Sequence, residues 1–271
     1  MRTILVTGAA GNIGAKVSVH LMSSGKYDVR RLDRVGGDGI IAADLSRYDP
    51  AWAKQFGGVD TVIHLAADPR GQCTWQEVMG PNVMGTQYVL RAAREARVRR
   101  VVYASSVQVV MGYRFRGEGK ITTDMPPQCL SPYAITKLFG EYLGKAFAEE
   151  TGISFIAFRI GYFQRGENMP GEHMGIGVYG QSMWLSNGDM NRAMEAAIEA
   201  ENVPYAVLNL ESDNPGMRFD IEHTKRTIGY APRDGHAPVI TDKVKADDAH
   251  ARTIVGPPGT WYDENFTEVA K

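Results

Sequence analysis

An apolar stretch at residues 3–7 runs directly into Gly8-Ala9-Ala10-Gly11-Asn12-Ile13-Gly14, and a helical pattern carried by Val17, Leu21 and Met22 follows. At a strand-to-helix junction such glycines allow a tight turn, close approach of a diphosphate to the backbone, and close packing of helix on sheet. The helix N-terminus adds free N–H groups that attract phosphate. Glycine spacing alone also occurs in ligand-free turns, so the rest of the unit matters. A second apolar stretch at 29–32 ends at Asp33, about twenty residues on, where a carboxylate can bind an adenosine ribose diol. Strand, loop, helix and acid together predict a dinucleotide-binding unit at residues 8–14, with Gly8, Gly11, Asn12, Ile13 and Gly14 against the diphosphate. The negative charge of Asp33 repels a 2′-phosphate and favours NAD over NADP, although Arg34 beside it could receive that phosphate.

The pattern then repeats. Short apolar stretches at 40–41, 61–65, 101–104 and 155–158 alternate with helical patterns, among them 83–96. Such alternation implies right-handed crossovers and an α/β fold, a doubly wound parallel sheet of the Rossmann type. After Arg159 the texture changes: residues 161–188 are rich in Gly, Met and polar residues without clean periodicity. A helix at 190–201 and a strand at 206–210 restore the pattern. The expected division is an NAD-binding core with the catalytic helix at 1–160, and a small C-terminal substrate-binding lobe at 161–271, integrated as one domain. Segment 161–188 is expected to cover the carboxyl edge of the sheet as a binding loop. The end of the chain, with Trp261, Tyr262 and Phe266, is expected to be extended and to pack on the body or on another subunit.

Composition removes several function classes. Thirty basic and thirty-one acidic residues leave a formal charge of -1, which provides no electrostatic footprint for nucleic acid. Cys73 and Cys129 are the two cysteines, too few for a disulfide framework or a four-thiolate zinc site. No His/Asp/Glu cluster has ligand spacing, so no metal is expected. No apolar run approaches the ~18 residues of a membrane span, and the N-terminus lacks a signal-peptide layout. A soluble, cytoplasmic protein is the expectation.

Tyr133 and Lys137 lie four residues apart, which on a helix places both on one face. A Lys ammonium near a phenol stabilises phenolate and lowers the Tyr pKa. Such a Tyr can exchange protons with a substrate hydroxyl near neutral pH. The same spacing arises by chance on amphipathic helices, so its meaning depends on the glycine loop, on Asp33 and on Ser105-Ser106.

With these parts in order, the chain resembles the extended short-chain dehydrogenase/reductase superfamily, in its NAD-dependent epimerase/dehydratase branch. Asp44-Leu45 is similar to the adenine-contacting segment after the third strand. His64-Leu65-Ala66-Ala67 is similar to the fourth-strand signature, and Asn82 with Val83-Met84-Gly85-Thr86 to the helix-start signature. The resemblance covers about residues 1–165. It implies that Tyr133 is the general acid/base and that Lys137 binds the nicotinamide ribose while lowering the Tyr pKa. It also implies that a hydroxyl after the fifth strand orients the substrate oxygen, Ser106 first and Ser105 as alternative. Asp44, Leu45, Leu65, Ala66, Ala67 and Asn82 are expected around the cofactor, with Asn82 organising backbone.

The short region after the catalytic helix favours a small free substrate. In length and layout, and in Phe139-Gly140-Glu141 and Phe158-Arg159-Ile160-Gly161, the chain resembles uronate dehydrogenases. Val107-Gln108 and Tyr162 depart from that family's substrate positions, and its carboxylate-clamping Arg has no clear counterpart, although Arg165 is nearby. Gln108, Tyr162 and Arg165 are therefore the pocket candidates. His173 and Arg165 could equally be exposed loop residues. The expected activity is NAD-dependent oxidation of a hydroxyl on a small sugar, sugar acid or polyol. The alternatives are an NAD-retaining sugar or nucleotide-sugar epimerase/dehydratase and a non-catalytic dinucleotide sensor. By the same resemblance, pairing of helices near 83–96 and 133–149 implies a homodimer or higher homo-oligomer.

Overall fold

A computed structural model describes residues 1–254 apart from Gln72 and Phe115. Trp261, Tyr262 and Phe266 lie outside the described residues. The chain begins with β1 (Arg2–Thr7), α1 (Asn12–Ser23), β2 (Tyr27–Asp33), β3 (Ile40–Ala42), α2 (Pro50–Ala53) and β4 (Thr61–His64). There follow α3 (Trp75–Val78), a π-helical turn Met79–Met84, α4 (Gly85–Ala96), β5 (Arg100–Ser106) and a 3-10 segment Val107–Tyr113. Then come α5 (Pro132–Thr151), β6 (Ser154–Ile160), α6 (Gly177–Ser182), α7 (Asn187–Glu199), β7 (Tyr205–Leu210), α8 (Glu222–Ile228) and α9 (Asp242–Ile254).

The strands form one seven-stranded sheet in the order β3-β2-β1-β4-β5-β6-β7, and every neighbouring pair is parallel. Successive strand residues face opposite sides, so the apolar runs feed two cores. Ile4, Val6, Ile63, Val102, Ile156 and Phe158 pack towards α1 and α7. Leu5, Val62, Val101 and Phe155 pack on the other face, with Val89 and Leu90 of α4 and Phe147 of α5. Burial of both faces explains why these strands read as continuous apolar runs. A third cluster, including Val107, Tyr179, Met183 and Phe219, lies beyond the carboxyl edge.

Two elements differ from the sequence expectation. The helix expected from 83 is preceded by the π-helical turn, where Pro81 supplies no N–H to an ordinary i→i−4 ladder. Segment 161–188 contains α6 and the start of α7. The six residues of α6 are too few to show a period, and the Ser186 N-cap that accepts from Asp189 N at 2.9 Å is a local signal. α6 is pressed against α9: at Gly177, where φ is 58°, a Cβ would sit 2.7 Å from the Asp248 backbone nitrogen.

Candidate active site

The glycine loop is built around close backbone approaches. Gly8 has φ 72°, and a Cβ there would lie 2.7 Å from Ala66 N, so the loop after β1 is pressed onto the segment after β4. A Cβ on Gly14 would stand 2.1 Å from Gly8 O; only glycine lets α1 start this close to the strand. Gly11 caps α1 without a side-chain hydrogen bond, which leaves first-turn N–H groups for an anion. Ile13 packs against the first core, and the Asn12 side chain donates to Gln164 O at 3.0 Å. Asn12 therefore also ties the segment after β6 to the loop.

Asp33, at the end of β2, accepts from Ala10 N at 3.0 Å and from Val35 N at 3.1 Å. Its carboxylate is thereby fixed beside the glycine loop. Asp44 accepts from the Ser46 N–H at 3.0 Å and from its hydroxyl at 2.6 Å, which holds its pKa below the usual range; Arg34 contributes a weaker pull. Leu45 is buried in the second core. Leu65 N donates to Thr7 O at 3.2 Å, and Ala66 is partly buried against the same core. Ala67 follows between β4 and the Asp68 turn. These residues line the switch point between β1 and β4, where parallel sheets of this type bind ligands. A backbone-only cradle, open helix N–H groups and an acid at the end of β2 together fit a dinucleotide with a free ribose diol. Gly8, Gly11 and Gly14 would hold its diphosphate, and Asp33 its adenosine ribose.

α5 carries Tyr133 and Lys137. Ser131 caps it by accepting from Ala134 N at 3.2 Å, Pro132 opens it, and Gly152 ends it at φ 70°. Gly140 and Gly144 bring the helix down onto the sheet: a Cβ at either would fall 2.2 Å from Tyr103 or Phe155. This contact fixes the height of Tyr133 over the edge.

Ser106 ends β5, and its hydroxyl lies close enough to the Tyr133 phenol to pull its pKa down. Lys137 Nζ stands 5.1 Å from the Tyr103 ring centre and 5.6 Å from that of Tyr133. Among the described residues no carboxylate forms a salt bridge with it, although it is 4% exposed. Burial pushes Tyr133 up to about 12, against a smaller downward pull from Ser106, and burial pushes Lys137 down to about 7. Lys137 is not among the groups that shift Tyr133, so the expected lowering is not present in the protein alone, where desolvation of the phenol dominates.

Ser105 and Ser106 point in opposite directions, as neighbours on a strand do. Ser105 donates to Glu141 at 2.5 Å, and Glu141 also receives two bonds from Arg159, at 2.9 and 2.8 Å. Asn82 is 1% exposed. It accepts from Asp68 N at 2.7 Å and donates to Asp68 O and Thr136 Oγ1, both at 3.1 Å. It thus joins the backbone of the loop after β4 to the Thr136 hydroxyl of α5. Thr86 Oγ1 links Asn82 O, at 2.6 Å, to His64, at 3.3 Å, and His64 meets Thr7 at 2.7 Å. Burial, with a contribution from Lys137, pushes His64 down to about 3, so it is neutral.

The pocket candidates divide. Gln108 N donates to Ser106 Oγ at 3.2 Å, and its side-chain amide reaches towards Gly71. Tyr162 packs into the third cluster, bridged to Trp184. Arg165 and His173 are exposed, and no ion pair or hydrogen bond joins Arg165 to Ser106, Tyr133 or Lys137. Sequence reasoning missed Cys73 and Trp75, which pack against Tyr133. It also missed Glu211, directly after β7; the rule that ligands lie beyond strand carboxyl ends would have flagged it. A concavity of about 610 Å³ beside Glu141, Arg159 and Tyr205 lies behind α5 rather than at Ser106. Among the described residues no group of three or more His, Cys, Asp or Glu side chains could hold a metal, and no helix is long and apolar enough to cross a membrane.

Comparison with known proteins agrees with this geometry. An L-arabinose 1-dehydrogenase (NAD(P)(+)) of Haloferax volcanii is 34% identical over 256 residues, spanning 89% of this chain and the whole of that protein. A NAD-dependent glucose-6-phosphate dehydrogenase of the same organism is 30% identical, spanning 91% of this chain and 98% of that protein. Among solved structures, a mutated uronate dehydrogenase superposes with a TM-score of 0.73 at 26% identity, covering 96% of this chain and 90% of its own. The model of one family matches residues 4–166, the stretch that holds the glycine loop, Asp33, Ser106, Tyr133 and Lys137. The chain belongs to the NAD dependent epimerase/dehydratase family.

Proposed function

We propose that the protein oxidises a hydroxyl of a small free sugar by hydride transfer to NAD, with Tyr133 as general base. It is an NAD(P)-dependent oxidoreductase of the extended short-chain type, and NAD is its cofactor. The observation that carries the reading is the nearness of the Ser106 hydroxyl to the Tyr133 phenol at the carboxyl edge, with Lys137 buried alongside and no carboxylate paired to it. Ser106 and Tyr133 would grip one substrate oxygen. Tyr133 takes the hydroxyl proton as the carbon is oxidised. Lys137 has three donors when charged and no acidic partner, so it would bind the nicotinamide ribose hydroxyls. Those contacts favour its charged form, and that charge favours phenolate. Bound NAD supplies the hydride acceptor. Asn82, through Thr136 and the Asp68 backbone, keeps α5 and the loop after β4 in register.

The substrate class rests on size and on the walls. Tyr162, partly buried against the cluster of Val107 and Met183, offers phenolic surface over an apolar backing, and Arg165 stands exposed. That favours an uncharged aldose over a sugar acid, although Arg165 would be the clamp for an acid. The test is a panel of free aldoses, uronates, sugar phosphates and polyols with NAD, followed by NADH absorbance. Turnover of a free sugar with stoichiometric NADH supports the proposal. Conversion without NADH accumulation would identify an NAD-retaining epimerase, and tight NAD binding without turnover a sensor.

The proposal extends to a cytoplasmic homodimer assembled through α4 and α5. Phe139 and Tyr142 on α5 are 36% and 62% exposed, apolar surface suited to a partner helix. Light scattering at micromolar concentration would return a monomer mass if this is wrong.

A further inference from the structure

Glu211 follows β7 directly, is 0% exposed, and neither of its carboxyl oxygens has a hydrogen-bond partner. Buried polar groups without partners are costly, and each one calls for a reason. Burial holds this acid well above the usual carboxylate range, which favours its protonated form, able to donate one hydrogen bond and accept others.

Its position supplies the reason. Strand register places Ser106 beside Ile160 and Ile160 beside Leu210. Glu211 is one residue beyond that row, two strand spacings or roughly 10 Å across the carboxyl edge from Ser106. The strand between them runs out into Gly161, and a Cβ there would lie 2.9 Å from Glu211 Cγ. The Glu211 stem therefore packs against Gly161, at the end of the strand that lies between β7 and β5. Tyr179 lies near enough to interact with it electrostatically, and Tyr179 belongs to the cluster that contains Val107, Tyr162 and Met183. Tyr230 donates to Glu211 O at 2.8 Å and fixes the backbone.

We infer that Glu211 is a specificity-determining residue that hydrogen-bonds a sugar hydroxyl at the end remote from the carbon being oxidised. The inference rests on the dehydrogenase reading and deepens it. A neutral carboxyl matches a hydroxyl, which also gives one bond and takes others. A substrate carboxylate or phosphate at the same place would be desolvated with no cation bonded to Glu211 to compensate. Uncharged aldoses are thereby selected over uronates and sugar phosphates.

The experiment compares wild type, Glu211→Gln and Glu211→Leu on the best aldose from the panel and on its monodeoxy analogues, with NAD affinity and Tm measured in parallel. In wild type, loss of one remote hydroxyl is expected to lower kcat/KM about 10- to 100-fold. In Glu211→Leu the intact sugar should fall to the level of that analogue, so discrimination vanishes, while Glu211→Gln retains part of it. The Leu variant should melt a few degrees higher, because the unpartnered group is gone, and should bind NAD normally. Persistent discrimination in Glu211→Leu, an equal loss on every substrate, a lower Tm, or no discriminating hydroxyl in wild type overturns the inference and leaves the dehydrogenase reading intact. A wild type that oxidises no free sugar overturns both.

Discussion

Two buried carboxyl groups flank the same sheet edge and are treated in opposite ways. In the corner formed by α5, β5 and β6, Glu141 is held by a two-pronged bond from Arg159 and a third from Ser105. At the exit of β7, Glu211 is equally buried and has no partner. The first region satisfies its buried charge internally and becomes rigid under Tyr133. The second leaves hydrogen-bonding capacity unspent. Chemistry common to a family needs the fixed corner, whereas choice of substrate needs an unsatisfied group that a ligand completes.

The strongest test of the fixed corner is Tyr133→Phe. It should lower kcat by about 10²- to 10⁴-fold with NAD affinity unchanged, measured by initial rates and calorimetry; near-full turnover would end the assignment. Next, Arg159→Met strands the Glu141 charge and should cost about 3–5 kcal/mol, read by denaturant unfolding. A neutral or stabilising result would erase the contrast with Glu211. His64 sharpens the comparison through pH. The unfolded chain protonates this His below about 6.5, whereas the folded chain resists down to about 3. Stability should therefore fall as pH drops through that interval, on the order of 5 kcal/mol in all. His64→Gln should flatten this acid limb, and an unchanged limb would locate the titration elsewhere. The smallest effect concerns cofactor choice: Asp33→Ser should improve kcat/KM with NADP about tenfold relative to NAD, roughly 1.4 kcal/mol. No change would show that Arg34, not Asp33, governs the choice.

The glycine loop, Asp33 and the Tyr133/Lys137 spacing were legible because each is a local pattern tied to one turn or one helix face. The central strands were legible because parallel strands buried on both faces leave apolar runs. The fate of Ser105 was not: only strand direction and a glutamate 36 residues on separate it from Ser106. Segment 161–188 misled because a six-residue helix between glycines has no period to read. Arg165 was named for its nearness in sequence, yet the structure leaves it exposed, since nearness along a loop says little about direction.

From residues 1–166 alone come the doubly wound fold, the proposed cofactor cradle and the proposed proton-transfer pair, because these depend on contacts within a turn or along a strand. The pKa balance at Tyr133 and the isolation of Glu211 were decided by tertiary packing. Desolvation is the sum of everything that surrounds a group, and no stretch of sequence contains that sum.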